Sequence, residues 1–266
     1  MFEMKKIWIG TNWKMTKTIE EGIQFTKGLR EISEAVTSNL QLFIIPSHTS
    51  LVPIKPLTTA ANIYLGAQNM HWEDSGPYTG EISPRMLAEI GIDMIELGHS
   101  ERRQYFNEND EAINKKVHAA LSYSIKPLVC IGENIDQKKQ QISKETLAAQ
   151  LKVCLQNLSE EQAKEVLIAY EPVWAIGEQG IPADASYVAE IHDFLRNTLE
   201  GLFAEVGSEI PILFGGSVNH DNFLDYIELE NVNGLFIGRA AWNIESFQVI
   251  LQQLDSHLAS NVSPIL

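Results

Sequence analysis

Val166-Leu167-Ile168-Ala169-Tyr170-Glu171-Pro172-Val173-Trp174-Ala175-Ile176-Gly177 reads as a short apolar strand ending on a carboxylate, followed by a proline and an apolar loop. Hydrophobicity this continuous suits a strand buried on both faces, as in a parallel sheet. The pattern recurs: apolar, β-branched runs stand at 7–10, 42–45, 63–67, 94–97, 127–131, 166–170, 210–214 and 234–237. Amphipathic stretches at 18–33, 108–123, 143–158 and 186–203 predict helices between them, with Gly28 an interruption in the first. Eight such runs imply an α/β fold around a parallel sheet, either a closed (β/α)8 barrel or an open, doubly wound sheet.

The polar residues at the run ends bear on that choice. Asn12 and Lys14 follow the first run, Gln68 and Asn69 the third, His99 the fourth, Glu133 the fifth and Glu171 the sixth. Gly215-Gly216-Ser217 follows the seventh and Gly238-Arg239 the eighth. A barrel gathers all of them on one rim, where active sites are built; an open sheet separates the first group from the last. With no linker-like or low-complexity stretch, one domain over residues 1–266 is expected.

The chain has 20 Lys+Arg against 35 Asp+Glu, a formal charge of −15, which opposes binding to nucleic acid or acidic membranes. An anionic substrate must then be held by local donors. Cys130 and Cys154 lie in no CxxC or Cys/His pattern, which argues against a disulfide scaffold or structural zinc and fits a reducing compartment. No apolar run approaches bilayer-spanning length, and Met1–Lys6 leads into a strand-like run rather than a signal-peptide core, so a cytoplasmic protein is expected.

Each polar group carries an ordinary reading beside a chemical one. Glu171 is either a salt-bridged strand end or a base that its own loop desolvates and strengthens. His99, in Gly98-His99-Ser100-Glu101-Arg102-Arg103, is a packed or capping histidine, or a neutral electrophile at the start of a short helix. Lys14 is a solvated lysine or an ammonium facing an oxyanion or phosphate. The glycine turns after the seventh and eighth runs are plain turns or a backbone cradle for phosphate. No HxH, HExxH, phosphate-loop lysine or dinucleotide motif occurs, so neither a metal nor another cofactor is expected. Base, neutral electrophile, cation and phosphate cradle together suit proton abstraction beside a carbonyl to give an enediolate.

Asn12-Trp13-Lys14-Met15, Gln68-Asn69, Thr79-Gly80-Glu81-Ile82-Ser83, Gly98 to Arg103, Cys130-Ile131-Gly132-Glu133, Tyr170 to Gly177 and Gly215-Gly216-Ser217-Val218 resemble, in this order, the triosephosphate isomerase family. The resemblance implies a (β/α)8 barrel with Glu171 as proton-shuttling base, His99 as electrophile, Lys14 and Asn12 at the substrate oxygens, and Glu101 behind Lys14. It implies that residues 172–177 begin a lid over the phosphate, with Ile176 lining it, and that backbone N–H groups of Gly177, Ser217, Gly238 and Arg239 bind the phosphate. It also implies a homodimer in which the segment 76–79 reaches the other subunit's Lys14, and no cofactor. Members acting on trioses usually carry Thr-Gly-Lys where this chain has Glu178-Gln179-Gly180-Ile181-Pro182, and Tyr at Phe214. They usually have Leu at Phe236, over the base, and a last phosphate turn of Gly-Gly followed by small residues where this chain reads Gly238-Arg239-Ala240-Ala241-Trp242. These departures are similar to a paralogous branch, the L-erythrulose-1-phosphate isomerases of tetritol catabolism. They imply a tetrulose phosphate substrate, with the glycolytic triose phosphates the alternative and a non-catalytic sugar-phosphate sensor the alternative of another class. Arg239 either contacts the longer substrate or forms an outward ion pair.

Overall fold

The computed structural model describes residues 6–37, 39–177 and 180–261. The expected domain of 1–266 therefore includes residues 1–5, 38, 178–179 and 262–266, which lie outside the described residues, as do Glu178 and Gln179 of the loop after the sixth run. The apolar runs form parallel strands β1 (Ile7–Asn12), β2 (Leu40–Ile45), β3 (Tyr64–Ala67), β4 (Met94–Leu97), β5 (Lys126–Ile131), β6 (Leu167–Tyr170), β7 (Ile212–Phe214) and β8 (Gly234–Ile237). Each pairs with the next, and Trp8 on β1 pairs with Gly234 on β8, so the sheet closes into a barrel and the open sheet is excluded.

Strand alternation divides the core into two layers. Trp8, Phe43, Met94, Leu128, Leu167 and Leu213 point inward and fill the barrel. Ile9, Ile44, Ile95, Val129, Ile168 and Ile212 point outward against the helices. This two-sided burial is why the strands read as unbroken apolar runs. β1 extends two residues past the expected end, to Asn12, because Thr11 and Asn12 continue the register with Ile44 and Ile45. β7 starts at Ile212 rather than 210, since Ile210 closes the preceding helix and Pro211 has no N–H to donate.

Helix Ile19–Ala35 begins where expected, capped by Thr18 and Glu21 in a reciprocal capping box. Gly28 does not interrupt it. A Cβ there would lie 2.8 Å from Ile244 Cγ1, so the glycine lets the first helix approach the last, Ile244–Asn261. Helix Asp110–Ser122 falls inside its expected span of 108–123, starting two residues later because Asn109 is its cap, and Ser143–Cys154 stops four residues short. Helix Ala185–Glu209 runs beyond the expected end at 203, with a break in helical geometry at Phe203 and Ala204, the latter at φ +48°. Cys130 and Cys154 are free and buried. Among the described residues no helix is long and apolar enough to cross a membrane.

Candidate active site

The C-terminal ends of the strands surround a cavity of about 450 Å³ lined by Asn12, Lys14, His99, Glu101, Glu171, Ile176, Phe236 and the turns at Gly215–Asn219 and Gly238–Ala240. Charged and polar groups distant in the chain thus meet at the rim where a parallel barrel positions chemistry.

Glu171 follows β6 immediately, and its N–H donates to the Ile131 carbonyl at 2.8 Å. Its side chain is buried, with Oε1 3.7 Å from His99 Nε2 and Oε2 without a hydrogen-bond partner. Among the described residues no lysine or arginine pairs with it, so the salt-bridged reading is excluded.

His99 is placed by the turn at Gly98, whose φ of +77° reverses the chain after β4. It caps helix Ser100–Phe106, its Nδ1 accepting from the Glu101 N–H at 3.1 Å. An accepting Nδ1 needs a lone pair, so the neutral ring carries its proton on Nε2, which faces Glu171. His99 is therefore both a cap and a donor aimed into the cavity. Arg103 braces the turn, donating to the Gly98 carbonyl at 2.7 Å and the Cys130 carbonyl at 3.1 Å.

Lys14 is not a solvated surface lysine. Its backbone is left-handed at φ +51°, held because its N–H donates to Asn12 Oδ1 at 2.6 Å and its carbonyl accepts from Gln68 Nε2 at 2.7 Å. Its ammonium meets Glu101 Oε1 at 2.7 Å. A non-glycine residue in this region is strained and persists only when its surroundings fix it.

The Asn12 side chain turns inward. Its Nδ2 donates to both carboxyl oxygens of Glu96, at 3.0 and 2.7 Å. Glu96 is fully buried on β4, on the barrel-facing side with Met94. Burial first, then the nearby Glu171 charge, push its carboxyl well above the usual carboxylate range. Reading 94–97 as an apolar strand missed it; the available signal was an acid flanked by Ile95 and Leu97 inside a buried run.

The two glycine turns flank the cavity. Ser217 Oγ donates to the Ala175 carbonyl at 2.5 Å, which joins the turn after β7 to the loop after β6. Gly238 opens a 3-10 turn, Arg239–Ala241. Arg239 makes no ion pair among the described residues; its Nη2 donates to the Gly177 carbonyl at 2.7 Å, which corrects the outward ion-pair alternative. Phe214, buried against Tyr226 with ring centroids 4.4 Å apart, has no hydroxyl to offer the loop, but Tyr226 donates to the Ala183 carbonyl at 2.7 Å. Phe236 packs its ring 5.5 Å from Phe43 inside the barrel.

Not every rim residue enters the cavity. Gln68 stands behind Asn12 and Lys14. Asn69 accepts from buried Lys116 at 2.9 Å and lies outside the cavity lining. Glu133 is buried beneath the loop after β6, accepting from Trp174 Nε1 at 2.8 Å and Tyr187 at 2.9 Å. Burial, with the Glu133 carboxylate adding to it, pushes the Tyr187 phenol up to about 12.

The family model described as triosephosphate isomerase matches residues 7–254. The chain is 41% identical over 251 residues to an L-erythrulose-1-phosphate isomerase of Rhizobium etli, covering 94% of this chain and 93% of that one. It is 41% identical over 259 residues to the protein of that name from Brucella abortus, covering 97% of this chain and all of the relative. The corresponding protein of Rhizobium rhizogenes is 43% identical over 258 residues, covering 95% and 96%. A crystal structure of triosephosphate isomerase from Bartonella henselae superposes with a TM-score of 0.82 at 33% identity, covering 93% of this chain and 99% of that one.

Proposed function

The chain belongs to the triosephosphate isomerase family, and from that premise we propose that it interconverts L-erythrulose 1-phosphate and D-erythrulose 4-phosphate. The observation that carries the reading is the meeting of Glu171, His99 Nε2–H and the Lys14 ammonium around one cavity of small-sugar size. The names of the relatives favour the tetrulose over the triose phosphate.

Glu171 takes the proton from C3, next to the C2 carbonyl, and the C–H electrons move to form the C2–C3 double bond of an enediolate. His99, as a neutral donor, and Lys14, as a cation, stabilise the charge growing on the substrate oxygens. Glu171 then returns the proton to C2, while the hydroxyl proton passes from O3 to O2 through His99. The carbonyl now stands on old C3, and renumbering from the other end gives D-erythrulose 4-phosphate. Atoms and electrons balance within the sugar, so no redox cofactor enters. Backbone N–H groups at Gly177, Ser217, Gly238 and Arg239 hold the phosphate, with Glu101 positioning Lys14 and Ile176 and Phe236 excluding water.

The site belongs to one barrel domain working in the cytoplasm, as a homodimer without nucleic-acid or membrane partners. Met15, beside Lys14, is 97% exposed in the single chain, which supports a second subunit covering it. Assaying the purified protein with L-erythrulose 1-phosphate and dihydroxyacetone phosphate side by side tests the reading. The expected result is a higher kcat/KM for the tetrulose phosphate. A higher value for the triose overturns the substrate, and binding without exchange of solvent deuterium into either sugar overturns the enzyme reading in favour of a sensor.

A further inference from the structure

We propose that Glu96 is a positioning residue of the isomerase site, a neutral carboxyl that fixes the Asn12 amide, and through it the Lys14 turn, without adding charge beside Glu171. The proposal rests on the isomerase reading and deepens it. Glu96 is fully buried and does not line the cavity, whereas Asn12 does, so any influence on the substrate passes through Asn12.

The linkage is continuous. Glu96 accepts from Asn12 Nδ2, Asn12 Oδ1 accepts the Lys14 N–H, and Lys14 holds φ +51° with its ammonium on Glu101. With the amide nitrogen pinned downward, the amide oxygen is left facing the Lys14 N–H. An apolar side chain at position 96 would free the amide to rotate and release the cap that steadies the strained turn.

The groups around Glu96 argue for the acid form. Glu171 on β6 and Glu101 after β4 are anions near it, Lys14 is the one cation facing it among the described residues, and Cys130 on β5 and His99 complete its surroundings. Oxygens of Glu96 and Glu171 lie within 4.8 Å of each other and of a His99 nitrogen. Lys14 is already outnumbered by Glu101 and Glu171 before a phosphate enters. An ionised Glu96 would set a further anion under a developing enediolate in a dry barrel, where repulsion is weakly screened. Asn12 Nδ2 donates to Oε2 at 2.7 Å and to Oε1 at 3.0 Å, and Cys130 Sγ lies 3.8 Å from Oε1, so the more loosely held Oε1 is where a proton fits. Burial and the Glu171 charge both favour this form.

The test compares Glu96→Gln, which keeps an acceptor for Asn12 and can never ionise, with Glu96→Leu, which does neither. With L-erythrulose 1-phosphate, Glu96→Leu is expected to lose up to about 10²-fold in kcat, because misplacing a catalytic group by about 1 Å has costs of that order. Glu96→Gln is expected to recover most of that loss at neutral pH. It should also carry its plateau to higher pH than the wild type, whose activity falls as Glu96 ionises. Infrared spectroscopy of the ligand-free wild type should show a protonated-carboxyl stretch at neutral pH that Glu96→Gln lacks, a readout available even if Glu96→Leu fails to fold. The proposal is overturned if that band is absent, if Glu96→Gln is as impaired as Glu96→Leu, or if Glu96→Leu keeps the wild-type kcat and pH profile. If the isomerase reading itself is wrong, the wild type turns over neither sugar phosphate while the band remains, which separates the two failures.

Discussion

Arg239 reaches 62 residues back along the chain to donate from Nη2 to the Gly177 carbonyl at 2.7 Å, tying the turn after β8 to the loop after β6. Tyr226 binds the carbonyl of Ala183 beyond that loop. With Phe214 lacking a hydroxyl, these two hydrogen bonds join those from Ser217 to Ala175 and from Trp174 to Glu133 in holding the loop. With Nη2 committed to backbone, Arg239 is expected to brace the loop rather than read the substrate's extra carbon. Arg239→Ala is accordingly expected to lower kcat/KM for tetrulose and triose phosphates by a similar factor, about fivefold for one lost hydrogen bond of about 1 kcal/mol. Steady-state kinetics on both substrates check this, and a change in their ratio would return Arg239 to substrate recognition.

Glu171→Gln keeps the size of the side chain and removes the proton acceptor. General-base catalysis contributes about 10²- to 10⁴-fold, and kcat should fall on that scale. Binding of inorganic phosphate, measured by calorimetry, should change little, because the donors proposed for it are backbone N–H groups at Gly177, Ser217, Gly238 and Arg239. A parallel loss of phosphate binding would make Glu171 a structural residue.

His192 stands behind the site, edge-on to Tyr170 and Phe214, with Nδ1 donating to the Asn231 carbonyl at 3.0 Å and Nε2 buried without a partner. Burial pulls it from 6.5 down to about 4, so the folded chain refuses a proton that the unfolded chain accepts. Its neutral form costs nothing above 6.5, and stability is lost as pH falls from there toward 4, by about 3 kcal/mol in all. His192→Phe loses the bond to Asn231 and should be less stable at pH 7, but its stability should fall less steeply between those two values. Urea unfolding across the range measures both, and an unchanged slope would show that His192 does not carry the linkage.

The strands were readable because a barrel buries both faces, so 94–97 and 234–237 announce themselves by composition. The closed ring was indicated by the polar residues and glycine turns at seven of the eight run ends. Helix Leu51–Thr59 was harder, since Pro53 and Pro56 fall within it and break the usual pattern. Glu171, His99 and Lys14 stood out as polar groups after apolar runs, and the resemblance placed Glu101 behind Lys14, but the Glu96 carboxyl beneath Asn12 did not stand out. Glu96 hides inside a run because one inward acid does not disturb a strand's overall hydrophobicity. The role of Arg239 depends on a carbonyl on another loop, which no local pattern encodes.

Gly28 offers a test in which helix propensity and packing oppose each other. Alanine at a helix interior is favoured over glycine by about 1 kcal/mol. Here its Cβ would sit 2.8 Å from Ile244 Cγ1, where helix Ile19–Ala35 meets the start of Ile244–Asn261, and overpacking of a close contact costs about 1–3 kcal/mol. Packing is expected to win, so Gly28→Ala should lower stability, and Gly28→Ala combined with Ile244→Ala should recover it. Denaturant unfolding of the two single variants and the double variant gives the coupling energy directly. If Gly28→Ala is more stable than the wild type, the close approach of the two helices does not require the glycine, and residue 28 is an ordinary helix position.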